Sequence, residues 1–166
     1  MKRTLLLVGL FCFHLAAEPF TARLEGVADS GRLLMRGSDG SFECRPYGVL
    51  TYERIAESQK IPPECREAID GFRKSDPEAA FAAARWLRPM QYYRVELKEG
   101  ACLLYDASRV TYSQRLLERG LALVSPRFSD REWKFRFSRA QEAARINRRG
   151  AWGAENWRMC RAVFGE

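Results

Sequence analysis

A chain of 166 residues, 46% of them hydrophobic, holds one domain with its own core and is too short for two comfortable ones. Its 28 Lys and Arg against 21 Asp and Glu give a formal charge of +7, a moderate excess that suits a polyanionic partner. The one histidine, His14, lies in an N-terminal segment of signal form, so chemistry that needs a histidine base, Ser-His-Asp and Cys-His included, leaves with that segment.

That segment opens with Lys2 and Arg3, continues as an uncharged apolar run from Thr4 to Leu15, and closes on Ala16-Ala17. Basic, apolar and small in that order is a signal peptide, 1–17, too short to cross a bilayer as a helix. Cleavage after Ala17 predicts a secreted or periplasmic protein with a charge of +5 once Lys2 and Arg3 are gone, a domain over 18–153 and a tail over 154–166. Cys12 leaves as well, and Cys44, Cys65, Cys102 and Cys160 remain. An even count in an oxidising compartment predicts two disulfides, with three connectivities open. Zinc is disfavoured, since no C-x-x-C pair occurs and no histidine is left.

Phe20 to Val27 alternates as a first strand, and Asp29-Ser30-Gly31 turns the chain into a second strand, Leu33 to Arg36. A hairpin turn with Asp39-Gly40 at its centre leads to a third strand, Phe42 to Val49. A charged insertion follows, Ile55 to Ser75, helical from about Pro63 to Phe72. Ser75-Asp76-Pro77-Glu78 then opens a second helix, Pro77 to about Leu87, with its alanines and Phe81 buried. Tyr92 to Leu97 and Ala101 to Tyr105 are strands four and five, joined by Lys98-Glu99-Gly100. The order predicts an α+β fold with five strands and about three main helices. Position in the chain favours pairing Cys44 with Cys65, across the insertion, and Cys102 with Cys160, holding the tail to the sheet.

The last third has two glycine-stopped helices. Leu116 to Arg119 ends at Gly120 and passes into the apolar run Leu121 to Val124. Trp133, Phe137, Ala140 and Ala144 recur at helical spacing up to Gly150, with Trp152 beyond it. Residues 127 to 161 carry ten Lys or Arg against four acids. Arg127, Arg131, Lys134, Arg145, Arg148 and Arg149 are the candidate contacts for nucleic acid or another polyanion; the competing reading is a solvated helix face.

The stretch Leu116-Leu117-Glu118-Arg119-Gly120-Leu121-Ala122-Leu123-Val124, followed by Ala140-Gln141-Glu142-Ala143-Ala144-Arg145-Ile146-Asn147-Arg148-Arg149-Gly150-Ala151-Trp152, resembles the C-terminal half of the staphylococcal-nuclease-like (thermonuclease) family. There an L-x-x-x-G-L-A-x-V segment precedes A-E-x-x-A-R-x-x-R-x-G-x-W. Gln141 stands at the acidic position. The resemblance implies a five-stranded oligonucleotide-binding (OB) barrel with packed helices over about Phe20 to Gly153. It also implies a calcium-dependent phosphodiesterase site, in which the metal orients a water, a glutamate activates it and two arginines hold the phosphate.

Residue by residue, that site is incomplete. Asp29-Ser30-Gly31-Arg32 falls on the family's D-G-D-T, which puts Gly31 at a calcium-ligand position. Arg45 matches the phosphate arginine, Gly48 the glycine and Glu53 the catalytic glutamate of R-x-x-G-I-D-x-P-E, whereas Leu50 replaces the second calcium aspartate. The D-x-Y-G-R loop has no counterpart in Lys98-Glu99-Gly100. Glycine and leucine offer no side-chain oxygen to calcium, so the expected metal site is absent and Arg45 and Glu53 are remnants, read as an ion pair across a strand end. The resemblance implies an exported binding or structural module with a degenerate nuclease centre and no cofactor. Its alternatives are an active phosphodiesterase using calcium at a rearranged site, with Asp39, Asp29, Glu43 or Asp106 supplying acids, and a barrel that binds protein or glycan.

Overall fold

The computed structural model describes residues 18–58, 61–76, 83–153 and 160. The expected signal segment, residues 77–82 of the expected second helix with Phe81 among them, and the tail apart from Cys160 lie outside the described residues.

Five antiparallel strands form the main sheet: β1 (Phe20–Asp29), β2 (Arg32–Gly37), β3 (Gly40–Cys44), β5 (Tyr92–Lys98) and β6 (Ala101–Tyr105), in the order β3-β2-β1-β5-β6. β1 is central because its two halves serve different neighbours. Phe20 to Arg23 pair with Val95 to Tyr92, while Arg23 to Asp29 pair back onto Arg36 to Arg32. The register slips between Leu24 and Gly26 and again between Val27 and Asp29. Such irregularities bend a strand and increase its twist, so the sheet curls around one face. Ala22, Leu24, Leu33, Met35, Val95 and Leu104 cover that face and are buried.

The third strand is shorter than the sequence predicts. Pro46 has no N–H for a ladder, and Gly48, at φ +74, lies with its Cα against the Phe128 ring. The chain therefore leaves the sheet after Cys44 and restarts as β4 (Val49–Thr51), which pairs with β7 (Ala122–Val124) in a separate two-stranded sheet. Among the described residues, seven strands in two sheets replace the five expected. At the break the Cys102 N–H donates to the Arg45 carbonyl at 2.8 Å, and the Tyr47 N–H donates to the Cys102 carbonyl at 2.9 Å. The two sheet edges touch there in one isolated parallel bridge, Pro46 with Cys102. No continuous ladder closes the sheet into a barrel among the described residues.

That contact corrects the disulfide pairing. The bonds are Cys44–Cys102, with Cα atoms 5.5 Å apart, and Cys65–Cys160, at 4.8 Å. The pairs expected from distance along the chain, Cys44 with Cys65 and Cys102 with Cys160, do not form. Curling of the sheet instead brings β3 and β6, its two edges, to the separation that a disulfide requires.

Helices cover the open side of the curl. α1 (Tyr52–Glu57) continues straight out of β4, and α2 (Pro63–Ser75) starts on Pro63 and buries Cys65, Ile69 and Phe72. Residues 83–86 are helical, with Ala83 buried. α3 (Tyr112–Glu118) is capped by the Thr111 hydroxyl, which accepts from the Gln114 N–H. α4 (Arg131–Ile146) is capped in the same way by Asp130 and buries Trp133, Phe137, Ala140 and Ala144, the stripe expected from the spacing. Full burial of Phe137 alone contributes about 2–3 kcal/mol. Gln141, from the same helix, accepts the Val124 N–H at 2.8 Å and ties α4 to β7.

Candidate functional site

The β4-to-α1 junction and the β1-to-β2 turn meet at one end of the curled sheet. Their side chains define the place to which the resemblance points. Glu53 sits in the first turn of α1 and is only 7% exposed. From the β1–β2 turn, Asp29 accepts the Gly31 N–H at 2.7 Å with one oxygen and the Arg32 Nε at 2.6 Å with the other. Arg32 also reaches Glu57, at 3.6 Å. The hydrogen bond that Arg32 donates to Asp29, then the charge of Asp29 and that of Glu57, raise the pKa of the Arg32 guanidinium.

Gly31 and Leu50 explain why the residues present do not fit calcium. A Cβ on Gly31 would lie 2.7 Å from the Thr51 hydroxyl oxygen and 3.3 Å from an Asp29 carboxylate oxygen. Thr51 is buried, so the space in which an aspartate at 31 would begin is taken. Leu50 lies in β4, in register with Leu123, and presents only carbon. Asp29 already engages one N–H and one guanidinium, and calcium needs several oxygens free to converge on it. Among the described residues no group of three or more acids, cysteines or histidines is placed to hold a metal ion.

Arg45 and Glu53 do not meet. Pro46 turns the chain away just after Arg45, whose Nε donates to Glu43, two residues back on the same strand face, at 2.5 Å. The expected Arg45–Glu53 ion pair is therefore replaced by Arg45–Glu43. The acids offered for a rearranged site are also committed: Glu43 to Arg45, and Asp106 to Arg115 and Ser108. Asp39 accepts from Ser38 in the exposed hairpin turn.

Sequence reasoning missed what faces Glu53. Arg66, Asp70 and Arg73 of α2 recur at i, i+4 and i+7, one position on from the buried Cys65, Ile69 and Phe72. With Asp29, Arg32, Glu53 and Glu57 they line a cleft of about 390 Å³. The insertion thus lays a face of alternating charge across the cleft, and the Cys65–Cys160 bond anchors it from behind. Beneath lie two buried phenols, Tyr52 and Tyr112. Burial first, and then the Glu53 charge, raise both pKa values above the ordinary tyrosine range; for Tyr112 the adjacent Ser30 opposes the shift. The Tyr52 hydroxyl donates to the Gly120 carbonyl at 2.5 Å.

The six basic candidates of the C-terminal third are all exposed, but they do not form one cluster. Arg131, Lys134 and Arg145 share a face of α4, while Arg127 precedes the helix and Arg148 and Arg149 follow it. Arg145 is bound in a two-bond fork to Glu142, at 2.7 and 2.6 Å, which lowers the Glu142 pKa. Arg136 and Arg139, not among the candidates, lie toward α3. With Arg149 and the exposed Phe135 they line a groove of about 510 Å³ between the two helices. Phe135 and Arg139 at i, i+4, away from the buried stripe of the helix, were the signal in the sequence.

Comparison with protein-family models and with curated proteins finds no match to this chain.

Proposed function

We propose that this protein is an exported, disulfide-stapled, thermonuclease-like OB-fold domain that binds nucleic acid or another polyanion and does not hydrolyse it. The observation that carries this reading is the Gly31 contact: a buried threonine fills the place of one metal carboxylate, and Arg32 takes up the carboxylate that remains. Where the nuclease would place a divalent cation, this chain places its own guanidinium. A glutamate without the metal and without a paired phosphate arginine lacks the charge stabilisation that phosphodiester cleavage needs.

The strand order supports the OB reading, because an OB barrel joins its first three strands to its last one through a parallel contact, and Pro46–Cys102 is parallel. Two disulfides support export. Exposed arginines around α4 supply the polyanion surface, and such binding is sequence-tolerant and weakens steeply with salt. The test is incubation of the oxidised protein, residues 18–166, with single- and double-stranded DNA and RNA, in calcium and in chelator, with binding read at low salt in parallel. Retention without cleavage in either condition is expected. Cleavage that chelation and Glu53→Gln both abolish would restore the active phosphodiesterase.

A further inference from the structure

The inference rests on the polyanion-binding reading above and gives it a place and a ligand class. We propose that the groove between α3 and α4 seats single-stranded nucleic acid, with its phosphates on Arg136, Arg139 and Arg149 and a base on the ring of Phe135. The groove shares no residue with the Glu53 cleft.

Phe135 is 66% exposed and lies off the stripe that α4 buries, so core packing does not account for it. The Arg139 guanidinium sits 5.8 Å from the centre of the Phe135 ring, and that of Arg136 sits 5.0 Å from the centre of Trp133. Stacking holds these cations beside aromatic faces without neutralising them. Arg139 and Arg149 make no ion pair among the described residues, and Arg136 shares one with Glu132, itself 70% exposed. The floor is Ala140 and Ala143, whose small side chains admit a strand close to the helix. On the α3 wall Glu118 is the opposing charge, one against three, and its carboxylate accepts from the Gln114 amide at 2.7 Å.

Cations that track a backbone beside an open ring suit a single strand, since every base has a face to stack and a paired duplex offers none. An acidic peptide would use the arginines and make no demand on the ring. Fluorescence anisotropy separates these cases, using a labelled thymidine oligomer of about 12 nucleotides, the same length of duplex, heparin and poly-glutamate, each bound to the oxidised protein at low salt. The single strand should bind more tightly than the duplex, and Phe135→Ala should weaken it about tenfold while leaving heparin unchanged. The double variant Arg136→Gln/Arg139→Gln should weaken every polyanion and flatten the logarithmic salt dependence for the single strand by about 1.4. Arg85→Gln/Arg109→Gln, two exposed arginines elsewhere, controls for net charge. Binding that ignores the groove variants but falls with Arg131→Gln/Lys134→Gln/Arg145→Gln overturns the groove and leaves the polyanion reading standing. Poly-glutamate that competes as well as the oligomer, with Phe135→Ala neutral for both, assigns the groove to a protein partner instead. No binding to any nucleic acid at low salt defeats the polyanion reading itself.

Discussion

The hydroxyl of Thr51 lies 2.7 Å from the point where a side chain on Gly31 would have to begin. Gly31→Asp, which would supply the aspartate that the thermonuclease resemblance implies at this position, should therefore create no calcium site. The new carboxylate must displace a buried threonine and sits against Asp29, a like charge already tied to Arg32. A loss of about 1–3 kcal/mol from overpacking is expected in urea unfolding, with no calcium heat by titration calorimetry. Calcium binding by this variant would show that the turn can open around a metal.

The disulfides divide their effects by location. The Cys44–Cys102 bond spans 58 residues and Cys65–Cys160 spans 95, so each stabilises by about 4–5 kcal/mol at the chain-entropy limit. Cys44→Ala/Cys102→Ala frees the sheet edges and should lower global stability. Cys65→Ala/Cys160→Ala frees α2, so hydrogen exchange should rise first in α2 while β1 stays protected. Peptide mapping of the unreduced protein tests the pairing directly, and a Cys44–Cys65 peptide would contradict it.

The strands and helices were readable wherever one local period governed them. Trp133, Phe137, Ala140 and Ala144 marked the buried stripe of α4, and Asp39-Gly40 marked the hairpin. What the sequence hid depends on distant segments meeting. Phe42 to Val49 has strand composition throughout, and only the Cys102 backbone and the Phe128 ring show where it breaks. The cysteine pairing follows from the curl of the sheet, a tertiary property that distance along the chain does not encode. Gly31 and Leu50 were readable as offering no side-chain oxygen, but Arg32 as the partner of Asp29 was not, nor α2 as the opposite wall of the cleft.

Gly120 and Gly150 lock the two C-terminal helices together. A Cβ on Gly120 would stand 2.1 Å from the Arg149 carbonyl oxygen, and its φ is +68. Its own carbonyl accepts from both the Ala151 N–H and the Tyr52 hydroxyl. Gly120→Ala thus combines a left-handed backbone with a main-chain clash that no side-chain rotation relieves. It should cost about 2–4 kcal/mol, read as a lower denaturant midpoint with an unchanged slope. A loss below about 1 kcal/mol would show that the crossing relaxes.

Alkaline pH should destabilise the protein through its tyrosines. Burial, followed by the hydrogen bond to Glu96 and the charge of that carboxylate, raises the Tyr105 phenol from 10.0 to about 12, and burial also raises Tyr47, Tyr52 and Tyr112. A phenol whose folded pKa is raised binds its proton more tightly in the native state. Its stabilising contribution is complete below the unfolded pKa, near 10, and is lost as pH climbs through the folded value. The urea midpoint should therefore fall between about pH 10 and 12, with phenolate absorbance appearing in step with unfolding. Tyr105→Phe removes that phenol and the bond to Glu96, 3.0 Å long, at a cost of about 0.5–1.5 kcal/mol at neutral pH; its midpoint should then fall less steeply over the same window. Glu53→Gln withdraws the second cause of the Tyr52 and Tyr112 shifts and leaves the first, burial, intact, so the alkaline fall in its urea midpoint should be slightly less steep. A pH dependence unchanged in both variants would place the alkaline loss outside these phenols.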